Sequence, residues 1–419
     1  MASPLDMFVA GLTDKKTGAV ATTVAALKEN QFGIPLKHFA QQYLFGATGL
    51  RIQVFNSIQG EKEVGKSTLM FDIMGDICGA EEDGGLGGIA VLYELEGKIS
   101  PTILASILRG HGERALQACI PRLGMTLEEA LDDFNTKVLP MYLKAFPKLD
   151  RPLIIGLDSI GGSASEDTIG KLEKEGVAGK GYYNKQHFMK YFCENEGPIL
   201  ARSGVPVVIM CINQEREGTA APGFAGPPPK VITGGRAQLF KDGHMISAKK
   251  KALGSGDGNI ITLKTTKTSF CDAREIKVEF RWNKYGVKED DAYEARFLWG
   301  LASAQCLAEP TKGVGEIRDI CDVKVSDQQL VTCPQLGLKS VQPDEFEAAL
   351  MADAKLLGQL YTYMKIDRLK DLTQYADWWA SKGKPKKEEP EEKPKAKSKA
   401  KAKPAPTSLD ELTPETPDA

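Results

Sequence analysis

Eight consecutive residues, Gly60-Glu61-Lys62-Glu63-Val64-Gly65-Lys66-Ser67, constrain this chain more than any other feature in it. They fill a pattern of one glycine, four residues of any kind, then Gly-Lys and a hydroxyl residue. An apolar run, RIQVFNS (51–57), precedes them, and a helical stretch, Thr68 to Ile77, follows. A strand, a glycine-bounded loop and a helix in that order make an anion cradle. The glycines let successive backbone N–H groups turn toward one centre, and the helix N-terminus adds positive potential. In such a loop Lys66 is expected to reach the β- and γ-phosphates of a nucleotide, and Ser67 to ligate its Mg²⁺. A chance glycine loop would not be expected to sit between a strand and a helix.

Further apolar runs have the length of strands: GIAVLYEL (88–95), PLIIGLDS (152–159) and VPVVIMCI (205–212). Separated by longer helical stretches, they imply an α/β fold with a mainly parallel sheet covered on both faces. HMISAK (244–249), NIITLKTTK (259–267) and REIKVEFRW (274–282) lie close together and suit antiparallel pairing at one edge. A chain of 419 residues suggests two or three domains. Residues 1–35 are expected to be a short N-terminal helical segment, with Val20, Val24 and Leu27 at helical spacing, and 36–282 the core. Residues 283–380 are expected to form a smaller C-terminal α+β domain. The tail, 381–419, is Lys, Glu, Pro and Ala with almost no large apolar residue, and is expected to be disordered because it has too little surface to bury.

The net charge of −2 carries no global basic signal, so any binding of nucleic acid has to come from local patches. Cysteines at 78, 119, 193, 211, 271, 306, 321 and 333 form no CxxC pair, and only four histidines are present, so no zinc site is expected. Scattered thiols of this kind fit a reducing, cytoplasmic compartment. No apolar segment has the length of a signal peptide or a membrane span.

The run PLIIGLDS delivers Asp158 at a strand end, where a carboxylate can hold Mg²⁺ beside phosphates. Ser159 follows it, so the carboxylate that orients water has to come from elsewhere. GIAVLYEL leads into Glu94-Leu95-Glu96, and strand alternation sets both glutamates apart from Leu95, so either could face the site. Glu96 is the preferred catalytic group. VPVVIMCI leads into Asn213-Gln214. A glutamine there can bond a γ-phosphate and move the loop after it; the plainer reading is a polar strand end capped by its own backbone.

Together these segments resemble the RecA family of recombinases, which includes the phage UvsX-like and archaeal RadA proteins. FNSIQGEKEVGKST, through Thr68, resembles the family's phosphate loop, and LYELEGKISP the strand with the catalytic glutamate, matched at Glu96. LIIGLDSIGG resembles the Mg²⁺ strand, and IMCINQEREG the strand ending in a γ-phosphate sensor, matched at Gln214. ITGGRAQLFKDG resembles the segment that closes the second DNA-binding loop. The resemblance implies a RecA-like P-loop ATPase core that uses ATP and Mg²⁺, with Glu96, Lys66 and Gln214 in catalytic roles. It implies a helical filament on single-stranded DNA that pairs with homologous double-stranded DNA in recombination and repair. The corresponding location is the cytoplasm, on a nucleoid or on viral DNA in an infected cell.

Two long segments follow the Asp158 and Gln214 strands, Gly161 to Tyr183 and Glu215 to Thr233. Loops of this length inside a compact domain are usually functional or disordered. The resemblance implies that they line the filament axis. Lys171, Lys174, Lys180, Arg216, Lys230 and Arg236 are then the phosphate ligands. Tyr182, Tyr183 and Phe224 would stack or wedge between bases, and Gly234 and Gly235 would allow close backbone approach. For any single lysine, a solvated loop residue is the plainer reading. The sequence departs from the family at two places. Ile103 stands where an aromatic often stacks on adenine. Lys267 matches the first of two lysines that reach a neighbour's γ-phosphate, but Ser269 stands at the second.

Two other readings compete. A hexameric helicase motor shares the fold, but its added N-terminal domain is not expected in the about fifty residues that precede the phosphate-loop strand. A non-catalytic recombination mediator would not be expected to keep Lys66, Ser67, Glu96, Asp158 and Gln214 together.

Overall fold

The structure is a computed structural model that describes residues 31–161, 199–200, 203–217, 230–232, 242–268, 271–283, 293–308 and 317–381. Its centre is a large, mostly parallel sheet, as the spacing of apolar runs predicts. The strands are β3 (Phe55–Gly60), β4 (Ile89–Glu94), β5 (Cys119–Leu123), β6 (Leu153–Asp158), β7 (Val207–Glu217) and β9 (Asp242–Ala252). They are followed by β10 (Gly258–Thr268), β11 (Glu275–Trp282) and β12 (Ala295–Phe297). The order across the sheet is β12-β11-β10-β9-β3-β7-β6-β4-β5, with β8 (Lys230–Ile232) added to β7. From β9 to β5 the pairs are parallel, and from β12 to β9 they are antiparallel, which is the expected edge.

The apolar runs are continuous because both faces of the sheet are covered. Val208, Met210 and Ile212 of β7 enter one buried cluster, and the alternating Val207, Ile209 and Cys211 enter the other. The first cluster packs α1 (Phe39–Phe45), α2 (Lys66–Cys78) and α3 (Pro101–Arg109) on the sheet; α4 (Glu113–Ala118) lies beside them. The second is closed by α5 (Leu127–Asp133), a π-helical turn at Phe134–Val138, and α6 (Leu139–Ala145).

Residue 282 ends β11, and β12 beyond it pairs with β11. The chain then forms α7 (Trp299–Ala308), a three-stranded sheet of β13 (Lys324–Val325), β14 (Val331–Cys333) and β15 (Leu338–Val341), α8 (Pro343–Ala352), α9 (Ala354–Tyr363) and α10 (Leu372–Ser381). Phe346, Leu350, Leu360 and Tyr375 of this part belong to the same buried cluster as Met70 and Ile73 of α2. The short pair β1 (Gly33–Pro35) and β2 (Gly49–Arg51) is bridged to it at Phe32–Lys370 and Ala47–Asp367.

Three boundaries differ from the sequence reading. The run at 51–57 is broken at Gln53, whose φ of 60° interrupts extended backbone, so β3 starts at Phe55. The strand expected at 205–212 continues to Glu217 because β8 pairs with its far end. Strand β5, CIPRL, has no alternating pattern, and Pro121 is tolerated because β5 is at the sheet edge. Among the described residues no helix is long and apolar enough to cross a membrane. The helical positions Val20, Val24 and Leu27 and the tail after Ser381 lie outside the described residues.

Candidate functional site

The loop from Gly60 to Ser67 leaves the end of β3, whose neighbours β7 and β9 both come later in the chain. A crevice forms beyond the strand ends at such a switch point. Both glycines of the loop are required by space as well as by conformation. Gly60 has φ 152°, and a Cβ on it would lie 2.5 Å from the Ala248 carbonyl oxygen. Gly65 has φ 90°, and a Cβ on it would lie 2.8 Å from Ile261 Cδ1. Gly65 also caps α2 without a side chain, which leaves the first N–H groups of the helix to an anionic ligand.

Lys66 opens α2 and is only 6% exposed. Its Nζ donates to the carbonyl oxygens of Gly60 (3.1 Å) and Glu61 (2.5 Å). Burial lowers its pKa, against the pull of Asp158, Glu96, Glu215 and Glu61. Asp158 ends β6. Burial pushes its pKa up to about 6, opposed by a hydrogen bond from the Ser67 hydroxyl and reinforced by Glu96 and Glu94. A hydroxyl and a carboxylate in contact are a donor set that fits Mg²⁺, which keeps several waters and takes further oxygens from phosphates. Among the described residues no group of three or more His, Cys, Asp and Glu side chains could hold a metal, so this pair needs those added oxygens.

Strand β4 stops at Glu94, so Glu94 and Glu96 do not share a strand face. Glu94 is 3% exposed and accepts from the backbone N–H groups of Glu96 (3.2 Å), Gly97 (2.8 Å) and Lys98 (2.9 Å). It folds the turn that presents Glu96. Glu96 Oε1 accepts from Gln214 Nε2 at 2.6 Å and from the Ser159 hydroxyl, and Oε2 lies 3.2 Å from Lys98 Nζ. Gln214 is in register with Gly60 on β3, so one strand pairing puts the glutamine beside the loop. Glu96, Gln214, Lys66, Ser67 and Asp158 thereby line one cavity of about 790 Å³. Such a cavity can receive a polyanion at the loop, a cation at Ser67 and Asp158, and a water oriented by Glu96.

Of the remaining residues singled out from the sequence, Lys62, Glu63, Val64, Gly65, Thr68 and Ile103 also line this cavity. Lys267 lies on β10 after a register shift at Thr265 and is not among the cavity's lining residues. The backbones of Arg216 and Lys230 belong to the β7–β8 pairing, which joins Arg216 to Val231 and Glu217 to Lys230. Lys171, Lys174, Lys180, Tyr182, Tyr183, Phe224, Gly234, Gly235, Arg236 and Ser269 lie outside the described residues.

Sequence reasoning missed Lys250, Asn259, Trp282 and Tyr293, which line the cavity from the antiparallel edge and beyond it. Lys250 Nζ is 4.0 Å from Glu63 Oε2 at the lip of the loop. The signal that could have found these residues is the strand phase. Asn259 and Trp282 share strand phase with the buried Ile261 and Phe280, and Lys250 with the buried Ala248. Compared with models of known protein families and with curated proteins, the chain matches none.

Proposed function

We propose that the chain is a DNA-dependent ATPase of RecA type, which forms filaments on single-stranded DNA and promotes homologous pairing and strand exchange. The observation that carries the reading is the 2.6 Å hydrogen bond from Gln214 to Glu96. It joins the carboxylate proposed to orient water to the strand that leads into the second long loop. A γ-phosphate entering between Lys66 and Gln214 would compete for the glutamine amide. Its arrival and loss would then be felt along the rest of β7 and beyond Glu217, in the segment proposed to grip DNA. Lys66 would neutralise the phosphates, Ser67 and Asp158 would hold Mg²⁺, and Glu96 would orient the attacking water.

The test is a pairing assay with the full chain, ATP, Mg²⁺ and single-stranded DNA, followed by a homologous or a heterologous duplex. Joint molecules are expected with the homologous duplex alone, and Lys66→Ala is expected to form none. ATP turnover at the wild-type rate by Lys66→Ala would remove the proposed active site.

A further inference from the structure

We propose that Cys321 and Cys333 form a reversible modification site: a dithiol that a low-molecular-weight disulfide oxidises to an internal disulfide bond, locking the β13–β14 loop against β11. The site lies outside the phosphate cavity and does not depend on how that cavity is read.

Two short turns bring the thiols together. The N–H of Cys321 donates to the Ile317 carbonyl oxygen at 2.9 Å, just after the 3₁₀ turn Ile317–Asp319. Cys333 ends β14 and opens the 3₁₀ turn Pro334–Leu336. Between them the chain folds back on itself, pairing Lys324 with Thr332 and Val325 with Val331. The two residues are 12 apart in sequence, and their sulfurs stand 3.6 Å apart. From that separation about 1.5 Å of approach reaches bonding distance.

Contact between buried thiols is also what plain core packing gives, and both residues are 0% exposed. Two features set this pair apart. The first is its proton. A hydrogen bond from the Cys321 thiol lowers the Cys333 pKa to about 7 against the effect of burial, helped by the N–H groups of Leu336 and Gln335. The same bond, with burial, pushes Cys321 up. One sulfur is therefore a nucleophilic thiolate near neutral pH while the other keeps its proton. Burial pushes Cys119 and Cys306 up to about 12, and Cys78 up as well, which leaves those thiols inert. The second feature is access. Gln335 is exposed, and its Oε1 lies 3.8 Å from Cys333 Sγ and accepts from Asp322 N–H at 3.0 Å. Cys333 is thus one side chain from solvent, and turning that side chain aside costs one exposed hydrogen bond.

The Cys333 thiolate attacks one sulfur of the incoming disulfide, and the other sulfur leaves as a thiolate with the bonding pair. The Cys321 thiol gives up its proton and attacks Cys333 Sγ, which expels the second small thiol. Two protein sulfurs are oxidised and one small disulfide is reduced to two thiols, one of which carries the Cys321 proton. Gln329, inside the loop that the new bond closes, donates from Nε2 to Glu279 Oε1 on β11 at 2.9 Å. Closing the loop restricts the unfolded chain and so stabilises this brace. In a reducing compartment such a bond is transient, which suits a response to oxidation rather than a permanent staple.

The experiment equilibrates the native full chain with mixtures of reduced and oxidised glutathione, blocks free thiols with N-ethylmaleimide and maps the peptides by mass spectrometry. Peptides joined through Cys321 and Cys333 are expected to accumulate as oxidised glutathione rises, and to separate again with dithiothreitol. In Cys321→Ser the reaction should stop at a glutathione adduct on Cys333, because the resolving thiol is gone. In Cys333→Ser no adduct should form on Cys321, which lacks the thiolate. The joined wild type should melt several degrees above the reduced protein, and Cys321→Ser should show no such difference. A bond that forms only after unfolding in urea overturns the site, as does a lasting glutathione adduct on native Cys333 with Cys321 still free. Equal melting temperatures for the joined and reduced forms overturn the lock. The cross-link is read in the wild type itself, so a variant that fails to fold leaves the test standing.

Discussion

Glu94 and Glu96 are two residues apart and have different partners. The carboxylate of Glu94 is held by three backbone N–H groups, whereas Glu96 faces Gln214 and Ser159. Glu96→Gln keeps shape and removes basicity. Steady-state hydrolysis should fall by about a hundredfold or more, with nucleotide binding retained. Glu94→Gln should lower the melting temperature instead, since a neutral amide oxygen accepts from N–H groups more weakly than a carboxylate. Normal turnover in Glu96→Gln with lost turnover in Glu94→Gln would reverse the assignment. Gln214→Ala is expected to separate two functions. ATP should still bind, but its enhancement of affinity for single-stranded DNA should diminish, because the amide proposed to link nucleotide to loop is gone. If wild-type affinity for DNA is the same with and without ATP, there is no coupling for Gln214 to carry. The sequence pattern already pointed to these residue types at strand ends. It left Glu94 and Glu96 equivalent, because the end of β4 at Glu94 depends on the turn that Glu94 itself caps.

At the scale of elements, α2 has two functional ends of its cross-section. Its N-terminus serves the cavity, and its opposite side carries Asp72 and Asp76, spaced by four and buried. His111 lies 3.1 Å from each carboxylate, Trp299 Nε1 donates to Asp72 at 2.7 Å, and Lys37 Nζ is 3.9 Å from Asp76. Burial opposes a charge on His111, but hydrogen bonding to Asp72 and then Asp76 outweighs it and raises its pKa from 6.5 to about 10. The raised value fixes the sign. The protonated histidine contributes its full stability below pH 6.5, and the contribution is lost as pH climbs toward about 10. His111→Gln should therefore destabilise the protein most near pH 6, by about 3–5 kcal/mol as for a broken buried ion pair, and much less near pH 10. Denaturant unfolding at several pH values measures the difference; an equal loss at all of them would mean that His111 is neutral in the folded protein. Nothing in the local sequence around His111 marks this role. The residue is 35 positions from Asp76, and only the packing of the 111 turn on Gly75, where a side chain would collide with the imidazole, brings them together.

At the scale of the whole molecule, legibility follows the range of the contacts. Most of the parallel strands were readable because each is a local apolar run, and the glycine loop because its context is contiguous; β5, a short CIPRL segment with no apolar pattern, was not. The cavity wall on the antiparallel side was not readable, since Asn259, Trp282 and Ile103 reach it only through β10–β11 register and the docking of α3 on β12. The part after residue 282 likewise joins the core through contacts far back in the chain: the Tyr375 hydroxyl accepts from Gln53 Nε2 and donates to the Gly204 carbonyl oxygen, and Glu347 accepts from Phe39 N–H.

The same scale decides between an open filament and a closed ring. Lys267 is absent from the lining of its own protomer's cavity, on a strand near the antiparallel edge. If it acts on a nucleotide, it acts on a neighbour's. A neighbour's cation at the γ-phosphate makes hydrolysis depend on contact between protomers, so ATPase activity should rise cooperatively with single-stranded DNA. It should also rise with strand length, because a longer strand leaves a smaller fraction of protomers at filament ends. Lys267→Ala should lower DNA-stimulated turnover while leaving ATP binding by isolated protomers intact. Mixed with a catalytically dead Glu96→Gln chain that retains Lys267, the Lys267→Ala protein should regain turnover, since the cation can then be supplied in trans. No recovery in such mixtures, together with a ring of fixed size that unwinds forked duplex without regard to homology, would favour a helicase motor over a recombinase.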